Sequence, residues 1–267
     1  METRKHLRAR TDETVPITDR EGLVAALQEA LALEHAIIPV YLYSLLSLDR
    51  ERNREVAATV RSVVIEEMLH MALVGNVLNS VGATPAIGGP GFVPRYPARL
   101  PGGVLPDLTV SLRRCSAEHV KNVFLAIERP HSPVDHSGRR ALRVLEGHEV
   151  TLSAQGDIIG ATPDVLSAPQ RFFETVRYED HTIGWLYQRI ATAMIQLDRK
   201  EDLFTGDPGR QVVWPGAPGR LYRVTDLPSA LWALVEIIRQ GEGTVEDPTV
   251  GALPADPTEP PPMRSPR

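Results

Sequence analysis

Glu67 and His70 stand three residues apart inside the run NREVAATVRSVVIEEMLHMALVGNVLNSVG, residues 53–82. Val56, Val60, Val63, Val74, Leu78 and Val81 recur there at spacings of three and four, so the run reads as a helix with both polar side chains on its apolar face. A carboxylate and an imidazole turned inward are costly unless something pairs with or coordinates them. The preceding run makes the point sharper. Leu27, Leu31, Glu34, Ile38, Tyr41, Leu45 and Leu48 form one helical ladder, and Glu34 occupies a rung that should be apolar. One inward Glu followed by an inward Glu-x-x-His is half of a carboxylate-bridged metal site in a helical bundle. Its oxygen and nitrogen donors suit iron. Tyr41, on the same face, is a candidate for a redox or proton-donating role, and equally reads as a core tyrosine. The bland alternative for Glu67 and His70 is a polar pair at the edge of the buried stripe. A metal-independent catalyst would use Glu67 as base and His70 as acid.

The elements that must position these groups follow from the same periodicities. The first helix spans about 20–49, capped by Thr18 or Asp19, with Pro39 placed to kink it one turn past Glu34. The second spans about 54–81 and closes on Gly82. The short turn between them makes the two helices antiparallel neighbours, so Glu34 and His70 meet at similar depth. A proline- and glycine-rich stretch, 84–106, cannot be helical; Phe92, Tyr96 and Leu100 are large enough to pin it over the bundle as a cover. Further helices are expected at 116–129, capped by Ser116, at 169–198, and at 228–240. Short extended pieces fit 108–112 and 221–224. Together these predict an all-α, antiparallel four-helix bundle with a short fifth helix and long connecting loops. Residues 1–16 read as a polar arm, 17–243 as the helical domain, and 244–267, with seven prolines, as a tail without a core.

Two more ligands are candidates. If the last helix continues through Gly241, Glu242 falls on its buried stripe and becomes a fourth carboxylate. His181 is a reserve ligand in the 169–198 helix, with the alternative that Thr182 caps a helix starting there and leaves His181 in a joint. Glu128, at the end of the third helix, is readable as a salt-bridged carboxylate or as a ligand. Composition narrows the function classes. A net charge of −5 over 267 residues gives no general basic surface for nucleic acid. The one cysteine, Cys115, has no partner for a disulfide or a thiolate cluster. The first residues lack the apolar stretch of a signal peptide, and no stretch of 18 apolar residues is free of charge. The expectation is a soluble cytoplasmic protein without nucleic-acid or membrane partners.

LEHAIIPVYLYSLLSL (33–48), VIEEMLHMALVGNVLNSVGATP (64–85), the P-x-Y-P-x-x-L-P pattern at 94–101, FLAIERP (124–130), TIGWLYQRI (182–190) and IIRQGEG (237–243) resemble, in order, the ferritin-like domain of iminophenyl-pyruvate dimer synthases. That group takes part in violacein and indolocarbazole pigment assembly. The resemblance implies iron, chemistry with oxygen or peroxide, and oxidative joining of amino-acid-derived imines in secondary metabolism, including antibiotic biosynthesis, with a homodimer or a partner enzyme. It also implies departures. The group has a glutamate where this chain has Trp185, and a histidine-containing helix beyond the QGEG segment. A carried-over site keeps Glu34, Glu67, His70 and Glu242 and loses one carboxylate and one imidazole, leaving one or two iron ions open. A metal-binding partner protein without turnover is the competing expectation.

Overall fold

The computed structural model describes residues 16–129, 140, 144, 145, 147–215, 217 and 219–241. The arm before residue 16, the tail, Glu242 and most of 130–146 lie outside the described residues. Helix α1 spans Arg20–Leu46 and α2 spans Arg54–Ser80. Asp19 caps α1 by accepting from the Gly22 amide at 2.8 Å. Pro39 is accommodated inside α1. The ladder from Leu27 to Leu45 is buried as its spacing requires, Glu34 included. By length and composition α1 resembles a membrane-crossing segment, yet over half of its most apolar window is buried against the rest of the protein.

The third helix, α3, covers 117–127 and is not regular: Ala117–His119, a π turn at Val120–Phe124, then Leu125–Ile127. Ser116 caps it through the His119 amide at 3.1 Å. The expected helix over 169–198 is two helices. Helix α4 covers Pro163–Thr175, and α5 covers Ile183–Asp198. Local hydrogen bonds make the break. Thr182 accepts from the Trp185 amide at 3.1 Å, and His181 takes a left-handed backbone, φ 65°. The Gln188 side chain receives the Tyr178 amide and donates to the Val176 carbonyl, so the unwound backbone keeps its partners. Helix α6 covers Leu227–Gly241.

Helices α1, α2, α6 and α5 pack in a closed ring, and α4 lies outside against α5 and α6. The fourth wall of the bundle is therefore the last helix, not the helix at 116–129. The reason is burial: Ala230 to Ile238 are all shielded, a helix apolar on every side, whereas α3 leaves Leu125 exposed. Two antiparallel strand pairs decorate the bundle. Strand β1 (Ala98–Arg99) pairs with β2 (Thr109–Val110), and β3 (Thr151–Leu152) with β4 (Ile158–Ile159). Residues 221–224 form no ladder. Their backbone is held instead by the Gln211 side chain, which exchanges two hydrogen bonds with Val224.

The connector after α5 docks on the end of α2. Asn76 is fully buried and bonds the backbone of Val212 twice and that of Tyr222 once. Gly206 donates to the Ser80 carbonyl at 2.9 Å, and a Cβ on it would stand 1.7 Å from the Asn79 carbonyl oxygen. Gly206→Ala must push backbone away from backbone. We expect it to cost about 3 kcal/mol and to lower Tm by roughly 10 °C. A thermal melt followed by circular dichroism, unchanged within 2 °C or so, would contradict this packing.

Candidate metal centre

Helical spacing brings Glu34 from α1 together with Glu67 and His70 from α2 because all three sit on the faces that the hairpin buries. Their ligand atoms lie within 4.8 Å of one another, and each residue is at most 5 % exposed. His70 Nδ1 is 3.5 Å from Glu34 Oε2 and 3.5 Å from Glu67 Oε2. On its other side, His70 Nε2 meets Gln240 Oε1 at 3.0 Å. The orientation of Gln240 is fixed in turn, since its amide nitrogen donates to Glu236 Oε1 at 3.1 Å. With the Gln240 oxygen toward it, Nε2 must carry the hydrogen. Neutral His70 then points a lone pair from Nδ1 at two carboxylates. Three acceptors converge on one place, and a positive charge has to sit among them.

The polar neighbours of this triad come from the remaining elements. Tyr187 of α5 donates its hydroxyl to Glu34 Oε1. Glu236 of α6 is buried and also accepts from the Arg220 amide at 3.0 Å, with the Arg220 guanidinium at 3.8 Å. The periodicity of α6 turns Glu236 away from the stripe; the structure turns it inward onto the folded-back connector. Tyr41 is fully buried and donates to Glu128 Oε1 at 2.5 Å. Glu34, Ile37, Glu67, His70, Ile127, Glu128, Ile183 and Ile237 line a cavity of about 10 Å³, room for one water-sized sphere.

Electrostatics without a cation are strained in an informative way. Burial pushes the Glu67 carboxyl well above its ordinary range, and the charge of Glu34 adds to the rise. Burial acts on Glu34 too, but the His70 hydrogen bond and charge outweigh it and bring that carboxyl down. For His70, burial opposes the charge, and the two carboxylates nonetheless hold its pKa well above the usual range. The metal-free site therefore keeps a proton on His70. Burial also lifts Glu128, to about 7. Tyr41 and Tyr187 are raised well above 10, first by burial and then by neighbouring carboxylates, so both remain donors.

His181 is not part of the cluster. It stands in the joint before α5, with its Nδ1 3.0 Å from the Gly103 carbonyl, because the helix that would have carried it inward does not form there. Glu242 lies outside the described residues. Trp185, the position at which the resemblance implies a lost carboxylate, faces elsewhere. It packs on His181 and under Arg189, along a different cavity. The polar side chain that α5 brings to the centre is Tyr187, which donates to Glu34. His35 joins the cover loop: its ring packs on Phe92 at 4.5 Å, while Tyr96 donates to the Ala36 carbonyl at 2.7 Å. The loop is thus ordered and tied to α1 within two residues of Glu34, although neither aromatic lines the small cavity.

Tyr187, Gln240 and Glu236 carry no ligand spacing in the sequence and enter the site only through packing. A tyrosine on an apolar stripe reads as core. Gln240 follows Glu236 by four, which puts them on one helical face, and that pairing was the available signal. A family model described as ferritin-like matches residues 27–259. No curated protein and no solved structure matches the chain.

Proposed function

This chain belongs to the ferritin-like family, and from that premise we propose that it is a non-haem iron oxidoreductase acting on a small, amino-acid-derived molecule, in the manner of the dimer-synthase group its motifs resemble. The observation that supports the reading is the placement of His70 between Gln240 and two carboxylates. Gln240 takes the Nε2 hydrogen and leaves Nδ1 to face two carboxylates, a donor set that suits a cation. Iron held there supplies one-electron chemistry and the activation of dioxygen.

The chain's own residues do the rest. Glu34, Glu67 and His70 hold the ion. Tyr187 keeps one oxygen of Glu34 occupied and fixes which oxygen faces inward. Tyr41, kept protonated, donates its hydroxyl to Glu128, which lines the cavity. Residues 84–106 pack on α1 beside Glu34 through Phe92 and Tyr96. The opposite wall of the bundle supplies Tyr187 and Gln240, where a symmetric two-metal site would need charged ligands. That supports one ion rather than two. It also favours, as a second reading, a metal-binding partner protein without turnover.

Elemental analysis of protein purified without a metal-binding tag, then anaerobic titration with ferrous iron and exposure to air, tests the proposal. We expect one iron per chain and an absorbance change on oxidation. Stoichiometric iron that stays inert to oxygen and peroxide would select the partner reading. Catalysis that survives rigorous chelation would select the metal-independent use of Glu67 and His70.

A further inference from the structure

Glu128 is the cavity-lining carboxylate that the triad leaves unexplained. It stands at the C-terminal end of α3, where the exposed carbonyls of a helix disfavour a negative charge. It shares a small cavity with Glu34 and Glu67, whose charges oppose its own. Among the described residues it makes no ion pair, and the adjacent Arg129 does not reach it. The one hydrogen bond of its side chain is the Tyr41 hydroxyl, on Oε1. Beyond the Tyr41 hydroxyl and the charge of His70, no group among the described residues favours its ionised form, and a cation opposite would supply the missing partner.

The way it is held repeats the way Glu34 is held. In each residue a tyrosine hydroxyl from a bundle helix occupies Oε1, Tyr187 for Glu34 and Tyr41 for Glu128. In Glu34 the remaining oxygen turns to His70. In Glu128 the remaining oxygen, Oε2, has no hydrogen-bond partner among the described residues and belongs to a side chain on the same cavity wall. Ligating carboxylates are commonly oriented by a hydrogen bond to the oxygen that does not bind. Glu128 sits outside the 4.8 Å triad, yet its charge acts on Glu67 and on Tyr41.

We propose that Glu128 is the third carboxylate of the metal centre, delivered by the connecting helix α3 instead of by the four-helix ring, with Tyr41 as its positioning residue. The inference rests on the metal-centre reading and adds to it a preference of charge. Glu34 and Glu67 with neutral His70 balance a divalent ion. Adding Glu128 makes three negative charges, which balance a trivalent one. The centre is therefore built to favour the higher oxidation state of a bound ion.

Zinc and gallium separate these charges without redox chemistry, since each has one stable valence in water. The full-length protein is titrated with Zn²⁺ and with Ga³⁺ against competing chelators, in wild type, Glu128→Gln and Tyr41→Phe. Glu128→Gln keeps the size and removes the charge. We expect it to weaken gallium binding by ~100-fold and zinc binding by less than ~10-fold, the range over which ligand and outer-shell groups act. Tyr41→Phe, which leaves the carboxylate in place, should weaken gallium binding by ~10-fold. It also keeps the test open if Glu128→Gln folds poorly by circular dichroism. Equal effects on the two ions, or none on either, overturn the proposal while leaving the triad intact. A wild type that takes up neither ion overturns the metal-centre reading, and this inference with it.

Discussion

His70→Ala is expected to weaken metal binding by about two orders of magnitude or more, ~3 kcal/mol, and to abolish any iron-dependent turnover. The imidazole is the one nitrogen among the triad's ligand atoms, and both carboxylates are oriented toward it at 3.5 Å. The variant should nevertheless fold. Tyr187 still holds Glu34, and two buried carboxyls left facing each other share a proton instead of both ionising. Two controls give the result its meaning. Gln240→Leu keeps every ligand but removes the acceptor that fixes the tautomer, and should cost 10- to 100-fold in affinity, roughly the range for an outer-shell partner. His148→Ala should cost nothing, since His148 lies near Asp164 at 3.9 Å, away from the cluster. Isothermal titration of the three variants, with circular dichroism for the fold, decides the matter. Full occupancy in His70→Ala would end the metal reading.

The second large effect is a divergence with pH between metal-free and metal-loaded protein. In the metal-free fold His70 is raised well above its ordinary value by Glu34 and Glu67 despite its burial, and Glu67 is raised by burial first and by Glu34 second. A raised folded-state pKa contributes stability that is complete below the unfolded value, about 6.5 for histidine and about 4.3 for glutamate. That stability is lost as pH climbs through the raised value. The metal-free protein should therefore begin to lose stability above the ordinary glutamate range, through Glu67, and lose more above about pH 6.5, through His70. Glu34, whose carboxyl is lowered, contributes in the opposite sense and only on acidification below the glutamate range.

Metal binding runs the other way, because the ion takes the place of those protons. Affinity should rise about tenfold per pH unit for each proton displaced, while that proton remains bound in the metal-free form. Melting temperatures of the two forms should consequently separate between about pH 6 and pH 8.5, with the loaded form rising relative to the empty one. A gap independent of pH would mean that the ion does not displace the His70 proton, and that it binds elsewhere.

How much of this was legible depends on which kind of signal each residue carried. Glu34, Glu67 and His70 announced themselves because a charged or ionisable side chain on an apolar rung carries a cost that only a partner can remove. The hairpin of α1 and α2 needed only a periodicity and a short turn, and the cover loop needed only proline and glycine density with aromatic anchors. The last helix was placed to within one residue at each end, since Asp226 accepts from the Ser229 amide as a cap and Gly241 marks its last residue. Its rank as a full wall of the bundle was missed, because burial on every side looks the same in sequence whether a helix is central or merely apolar.

The break between α4 and α5 is half legible: Thr182 capping a new helix with His181 in the joint is the alternative the sequence offers and the one the structure takes, while the bonds that stabilise it are not readable. Periodicity runs almost unbroken from Val176 to Leu197, and the break depends on Gln188 reaching back to pair with Val176 and Tyr178 while Thr182 caps the new start. A hydrogen bond ten or more residues along the chain leaves no periodic trace. The consequence reaches the site. With α5 starting at Ile183, Tyr187 arrives at Glu34, and His181 and Trp185 turn to another surface.

By itself, then, the sequence determined the half of the centre built from one hairpin, where spacing along a helix and a short turn fix both direction and depth. Only the tertiary structure decided the other half: that Gln240 sets the tautomer of His70, that Tyr187 and Tyr41 each hold a carboxylate, and that Glu128 faces the same cavity. These residues act through neutral hydroxyl and amide groups, or from the end of a short helix. Such groups are common both inside and outside a fold and mark no apolar rung, so only the packing of distant segments reveals what they hold.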